Sequence, residues 1–184
     1  MKLATYFLSF IFGFLSLALS AQDTIWFDAN WNPATQEKAT YYRPAPAQKG
    51  TGFWVVDYYM NGAKQMEGFS TTAAYDEESF DGMVTFYYES GKVFQQIHYK
   101  SGKLEGVRTV YFKNGSVENN RKYTNGLPDG KYEAYFETGE LKETGTYKNG
   151  MRDGLWKTFY KTGKLASKGK YKKRRKIGVW KTYY

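Results

Sequence analysis

The sequence predicts an all-β protein, an open antiparallel β-meander or solenoid of stacked hairpins that repeat every 24 residues. Aromatic residues make up 20% of the chain and glycine is frequent, which is typical of short strands joined by tight turns. An amphipathic helix would need apolar residues three and four apart over longer windows, and the frequent glycines interrupt those windows. Two glycine series share the 24-residue step: Gly82, Gly106, Gly130, Gly154 and Gly178, then Gly91, Gly115, Gly139 and Gly163.

Residues 1–21 have the pattern of a secretory signal peptide, with Lys2 ahead of an apolar run that ends at Ser20 and Ala21. The run is shorter than the ~20 residues of a membrane-spanning helix, so an uncleaved anchor is the less favoured alternative. We therefore expect cleavage after Ser20 or Ala21 and an exported protein that is periplasmic, associated with the cell envelope, or secreted.

Residues 22–51 show no repeat and contain three of the four prolines, so we expect this segment to cap the open end of the stack. The repeat domain spans residues 52–184 and holds about five and a half units. Its first unit is irregular, because Gly62 and Gly91 are 29 residues apart. The extra residues fall within 70–79, which predicts a protruding acidic loop.

The repeats read G-x-W-x-x-Y-Y-x-x-G-x-L-x-x-x-G-x-Y-x-x-G-x-x-D, as in the copy that begins at Gly154. Asn114-Gly115 is the clearest hairpin turn, because glycine supplies the positive φ that such a turn needs. Equally spaced carboxylates could form a metal ladder or an acid catalyst, but an acid-glycine turn between hairpins accounts for them. These carboxylates are Asp81, Glu105, Asp129 and Asp153.

This unit resembles the bacterial variant of the MORN repeat, over roughly residues 52–184. The resemblance implies an open β-meander that has no catalytic residues and serves as an interaction surface. Some members of that family carry an antitoxin label, that of the YwqK type, and this resemblance implies an antitoxin-like or immunity-like binding role as one alternative. Residues 41–44 and 57–62 also look like the segment that precedes the repeats in exported bacterial proteins.

The residue types argue against an enzyme. The chain has no cysteine, which excludes Cys-His nucleophiles and, with a single histidine, the usual zinc sites. The one histidine, His98, lies one residue before the repeated Tyr99 and should face away from it into solvent, so a Ser-His-acid system has no positioned base. No phosphate-binding glycine loop occurs. Hydrolysis of a glycoside by two carboxylates stays open, but only the periodic acids support it. We expect neither a cofactor nor a metal.

The C-terminal part is strongly basic. Residues 146–184 hold 13 Lys or Arg against one Asp, whereas residues 1–145 hold 14 against 17 Asp or Glu. Lys172 to Lys176 replace the loop that carries glycine and an acid in the other units. The segment is either a solvated loop or a docking site for an anionic partner. The candidate residues are Lys168, Lys170, Lys172, Lys173, Arg174, Arg175, Lys176 and Lys181.

We expect a protein partner first and an anionic lipid or glycan second. Nucleic acid is not expected, because it is scarce outside the cell. The last strand ends at Tyr183-Tyr184, halfway through a unit, so we also expect an edge that can pair with a second copy of the chain.

Overall fold

The computed structural model describes residues 24–184, so the predicted signal peptide lies outside the described residues. The described chain forms one open antiparallel sheet and a single 3-10 turn, Gln36–Lys38. The predicted all-β, open β-meander of hairpins is therefore confirmed. Along the sheet each strand pairs with the next one in the chain, except that two short strands lie off this path. These are Ala47–Lys49, which pairs with Gly52–Tyr59, and Lys103–Leu104, which pairs with Val93–Lys100.

The fifteen strands are β1 (Ile25–Phe27), β2 (Tyr41–Arg43), β3 (Ala47–Lys49), β4 (Gly52–Tyr59), β5 (Lys64–Ser70), β6 (Gly82–Tyr87), β7 (Val93–Lys100), β8 (Lys103–Leu104), β9 (Gly106–Tyr111), β10 (Val117–Thr124), β11 (Leu127–Tyr135), β12 (Leu141–Lys148), β13 (Met151–Phe159), β14 (Leu165–Lys172) and β15 (Arg175–Thr182).

Two-residue turns lie along one edge of the sheet. Asn125 and Gly126 have φ of 50° and 83°, the left-handed values that a tight hairpin turn requires. The N–H of Gly126 donates to the carbonyl of Leu104 at 2.9 Å, and that of Gly150 to Pro128 at 2.8 Å. Each turn is thus bonded to the unit before it, which locks neighbouring units at this edge.

The repeated acid-glycine pairs are not hairpin turns, and this part of the prediction was wrong. Asp129 and Gly130 lie inside β11, at a bulge where the pairing with β10 shifts register between Arg121 and Tyr123. Asp153 and its glycine occupy the same place in β13. A glycine at positive φ lets the strand take an extra residue without leaving the sheet. Asp129 and Asp153 therefore each lie at a bulge, whereas Asp81 and Glu105 directly precede β6 and β9.

Alternation along the strands gives the sheet two faces. The inner face carries the buried residues, with Val55 and Val84 fully buried in one cluster and Trp156 1% exposed farther along the sheet. The outer face carries the alternate residues, such as Met83 and its cross-strand partner His98, which is exposed. His98 therefore faces solvent, as the sequence predicted.

The residues before the repeats continue the sheet as β1, β2 and β3. Residues 71–79 fold back onto them, so the predicted protruding loop was wrong. The Tyr75 ring centroid lies 5.0 Å from that of Phe27, and the Tyr75 hydroxyl donates to the carbonyl of Trp31 at 2.9 Å. Glu78 pairs with the buried Arg43. A buried guanidinium requires carboxylate partners, and the loop supplies one of them.

Candidate functional site

Five of the eight predicted cationic residues share the outer face of the last hairpin. Lys168, Lys170 and Lys172 alternate along β14 and point to one side of the sheet. Lys181 lies opposite Lys168, and Arg175 lies opposite Lys172. We call these five residues the basic face.

The other three candidate residues lie elsewhere. Lys176 is opposite Tyr171 on the inner face, where its Nζ lies 4.3 Å from the centroid of a Trp180 ring. Lys173 and Arg174 form the tip of the turn between β14 and β15. The five consecutive basic residues thus divide between both faces and the turn.

The structure also adds a residue that the sequence analysis missed. Lys157 of β13 is the direct cross-strand partner of Lys168, so Lys157, Lys168 and Lys181 form a row across three strands. Like charges directly opposite one another destabilise a sheet. No acidic residue follows Asp153 in the chain, and no ion pair among the described residues involves a residue after Arg152. The row is therefore uncompensated. The sequence places Lys157 in the basic C-terminal part, but only the strand register shows that it lies opposite Lys168.

Three exposed apolar side chains lie among these lysines. Leu155 is 47% exposed, Ile177 41% and Val179 81%. With Lys168, Lys170 and Lys181 they line an open groove of about 260 Å³ on the outer face. Exposed aliphatic groups beside cations make this surface amphipathic.

Leu155 and Val179 belong to a longer row. The second position of the repeat is also apolar in Met83, 48% exposed, and Val107, 51% exposed. Successive units are separated by two strands, which corresponds to about 10 Å. We call Met83, Val107, Leu155 and Val179 the apolar row. Lys131 stands at the equivalent place in the unit between Val107 and Leu155.

The turn between β14 and β15 is strained. Lys173 and Arg174 have φ of 48° and 69°, where the corresponding turn before it has Asn149 and Gly150. A left-handed conformation costs a residue with a β-carbon about 1–2 kcal/mol. A groove of about 360 Å³ separates the two turns and is lined by Lys148, Asn149, Met151, Asp153, Lys172 and Lys173.

A buried ionisable cluster of Arg43, Asp57 and Glu78 has a structural role. Asp57 accepts from Nε and Nη2 of Arg43 at 2.6 and 2.9 Å, one bond to each carboxylate oxygen. Burial raises the pKa of Asp57, and the bonds to Arg43 offset part of that effect. Both oxygens are engaged, so this carboxyl is poorly placed to exchange a proton with a substrate.

Other features bear on the chemistry of residues 24–184. Within that range, no three His, Cys, Asp or Glu side chains lie close enough together to hold a metal ion. In the same range, no helix has the length and apolar character needed to cross a membrane.

Comparison with known families identifies the repeat. The family model for the MORN repeat variant matches residues 80–101, 128–149 and 152–173. The three segments correspond to the hairpins β6–β7, β11–β12 and β13–β14. No curated protein matches the chain in sequence. Three hairpins of the sheet are therefore similar to the MORN repeat variant, a non-enzymatic repeat that generally binds proteins or lipids.

Proposed function

We propose that the chain is an exported, non-enzymatic repeat scaffold that binds a protein partner in the bacterial envelope. The apolar row is the observation that carries this proposal. Its four exposed side chains occupy the same repeat position on the outer face, with successive units about 10 Å apart and Lys131 between Val107 and Leu155. A flat row of this length suits the surface of another protein better than a small molecule, which needs a concave pocket.

The proposal of export rests on the pattern of residues 1–21, a basic residue followed by an apolar run and small residues. The absence of cysteine is compatible with an oxidising compartment, since no free thiol is present. The envelope is then where the partner would be met.

Affinity capture from envelope extract tests the protein-binding proposal. The double variant Val107→Ser, Leu155→Ser removes the centre of the apolar row and should lose the captured partner. The matched control, Leu127→Ser with Met151→Ser, removes two exposed apolar residues at the turn edge and should keep it. If both variants still capture the partner, the apolar row is not its binding surface. If the native protein and both variants capture no partner, the protein-binding proposal is contradicted.

A second candidate function is that of a peripheral envelope protein that binds an anionic lipid or glycan through its basic end. The row of Lys157, Lys168 and Lys181 favours it, because no acidic group neutralises these lysines. The neighbouring Leu155 and Val179 could enter the boundary between headgroups and acyl chains. A cation near an anionic membrane contributes about 1 kcal/mol to binding.

Co-sedimentation with vesicles tests this candidate. The native protein should bind vesicles that contain phosphatidylglycerol and not vesicles of phosphatidylcholine alone. The triple variant Lys168→Ser, Lys170→Ser, Lys181→Ser should lose binding. The matched control Lys142→Ser, Lys161→Ser, Lys164→Ser removes the same charge elsewhere and should retain it. Binding to heparin without vesicle binding would point to a glycan, and equal binding by both variants would rule out the basic face.

A further inference from the structure

Two arginines face each other on the inner face in the middle of the sheet. Arg108 of β9 and Arg121 of β10 are direct cross-strand partners, so both side chains leave the same side of the sheet. They are 24 residues before Tyr132 and Gly145, which pair with each other in the next unit. The third unit thus has two cations where the next has an aromatic ring beside a glycine.

Within the described part of the chain, neither arginine has a carboxylate partner. Arg108 donates from Nε and Nη2 to the amide oxygen of Gln95, at 3.0 and 2.5 Å. The guanidinium carbon of Arg121 lies 5.0 Å from the ring centroids of both Tyr132 and Tyr147. Its Nε is buried and has no hydrogen-bond acceptor. The ion pairs of residues 24–184 include neither arginine.

A third arginine of the same face shows the contrast. Arg152 lies over the Trp156 ring at 4.1 Å, much as Arg121 lies over its tyrosines. Its Nη1, however, pairs with Glu143 at 3.1 Å. The sheet therefore compensates the charge of Arg152 internally and leaves the charges of Arg108 and Arg121 uncompensated.

A half-buried cation without an anionic partner is costly, and two such cations opposite one another repel. A bound anion would relieve both costs, because a guanidinium offers a planar set of donors that matches carboxylate and phosphate oxygens. We propose that Arg108 and Arg121 form an oxyanion-binding site on the inner face that takes a carboxylate or a phosphate group. The site is independent of the apolar row and the basic face, which lie on the other side of the sheet.

The Nε–H signals of arginine in ¹⁵N NMR spectra test this site without interference from the lysines. The probes are inorganic phosphate and a tri-glutamate peptide, each compared with chloride at equal ionic strength. We expect saturable shifts at Arg108 and Arg121 and none at Arg152. Saturation by the peptide alone identifies a carboxylate ligand, such as an acidic side chain of a partner, and saturation by phosphate alone identifies a phosphorylated ligand.

Variants complete the test. Arg108→Gln should weaken the apparent affinity reported by Arg121 at least about tenfold, since a hydrogen-bonded charge is lost. Arg121→Gln should do the same at Arg108, and Arg152→Gln should change neither. Amide spectra verify that each variant is folded. Linear shifts that chloride reproduces, or an Arg121 response that survives Arg108→Gln in a folded protein, would overturn the proposal.

Discussion

The indole of Trp156 lies flat against the backbone of Gly145. A β-carbon placed on Gly145 would come within 2.2 Å of Cδ2 of that indole. The Trp156 Nε1 donates to the carbonyls of Thr146 and Asp153, both at 3.2 Å, which holds the ring in this position. Gly169 has the same relation to Trp180, at 2.1 Å. At Gly145 and Gly169, the absence of a β-carbon thus leaves the space that the tryptophan of the following unit occupies.

Gly145→Ala should therefore lower the free energy of unfolding by about 2–3 kcal/mol, because the indole must leave its place. Urea denaturation followed by circular dichroism measures the change. Gly163→Ala is the control, since that glycine has φ of 78° and open space around it. It should lose only about 1 kcal/mol, through backbone strain. In a Trp156→Leu background the cost of Gly145→Ala should shrink, and an unchanged cost would contradict the packing explanation.

Replacing Lys173-Arg174 with Asn-Gly should stabilise the protein by about 1–2 kcal/mol, because asparagine and glycine accept left-handed φ more readily. Thermal unfolding measures the gain. The reciprocal change, Asn149→Lys with Gly150→Arg, should destabilise by a similar amount, since those residues have φ of 48° and 76°. If the first double variant is not stabilised, strain at this turn is not what distinguishes it.

Arg43→Met should cost about 3–5 kcal/mol, because it leaves Asp57 and Glu78 without their shared cation in a buried place. Chemical denaturation measures the loss. Adding Asp57→Leu should recover much of it by removing the unpaired charge. The control is Lys64→Met, which breaks an exposed pair with Glu67 and should cost less than about 1 kcal/mol. Equal costs for both single variants would contradict the importance of burial.

Burial and the Glu67 carboxylate, which accepts a hydrogen bond from the Tyr87 hydroxyl, raise the pKa of Tyr87 to about 12. The ordinary value is 10.0. Between these two pH values the folded protein keeps a proton that the unfolded chain has lost, so stability falls as pH rises. Titration of the tyrosine Cζ signals by NMR measures the pKa.

Glu67→Gln should lower the pKa of Tyr87, because it removes the carboxylate charge that favours the neutral phenol and leaves an uncharged amide oxygen, which is a weaker acceptor. Tyr59 is the internal control. Burial is the main cause of the raised pKa of Tyr59, and the Tyr59 hydroxyl donates to the backbone carbonyl of Tyr87, which the variant leaves in place. An unchanged Tyr87 titration in the variant would show that Glu67 has no part in the shift.

The glycine period and the composition were enough to predict the strands and the hairpins, and the resemblance of the repeat implied that they follow one another as a meander. Turn glycines such as Gly115 have the positive φ that the sequence required. These features follow from local rules, since a turn and the alternation of a strand depend on residues close together in the chain. The basic character of the last hairpin could also be predicted from the sequence, because it depends only on composition.

Which side chains meet across strands depended on the tertiary structure. The bulges at Asp129-Gly130 and Asp153-Gly154 shift the register, and that shift decides which residues lie opposite one another. The fold of residues 71–79 onto Arg43 likewise joins residues distant in sequence. The 24-residue period thus determined the architecture. Within the hairpins, the register shifts between Thr158 and Phe159 and between Val117 and Asn119. That register decided that Lys157 lies opposite Lys168 and that Arg108 faces Arg121.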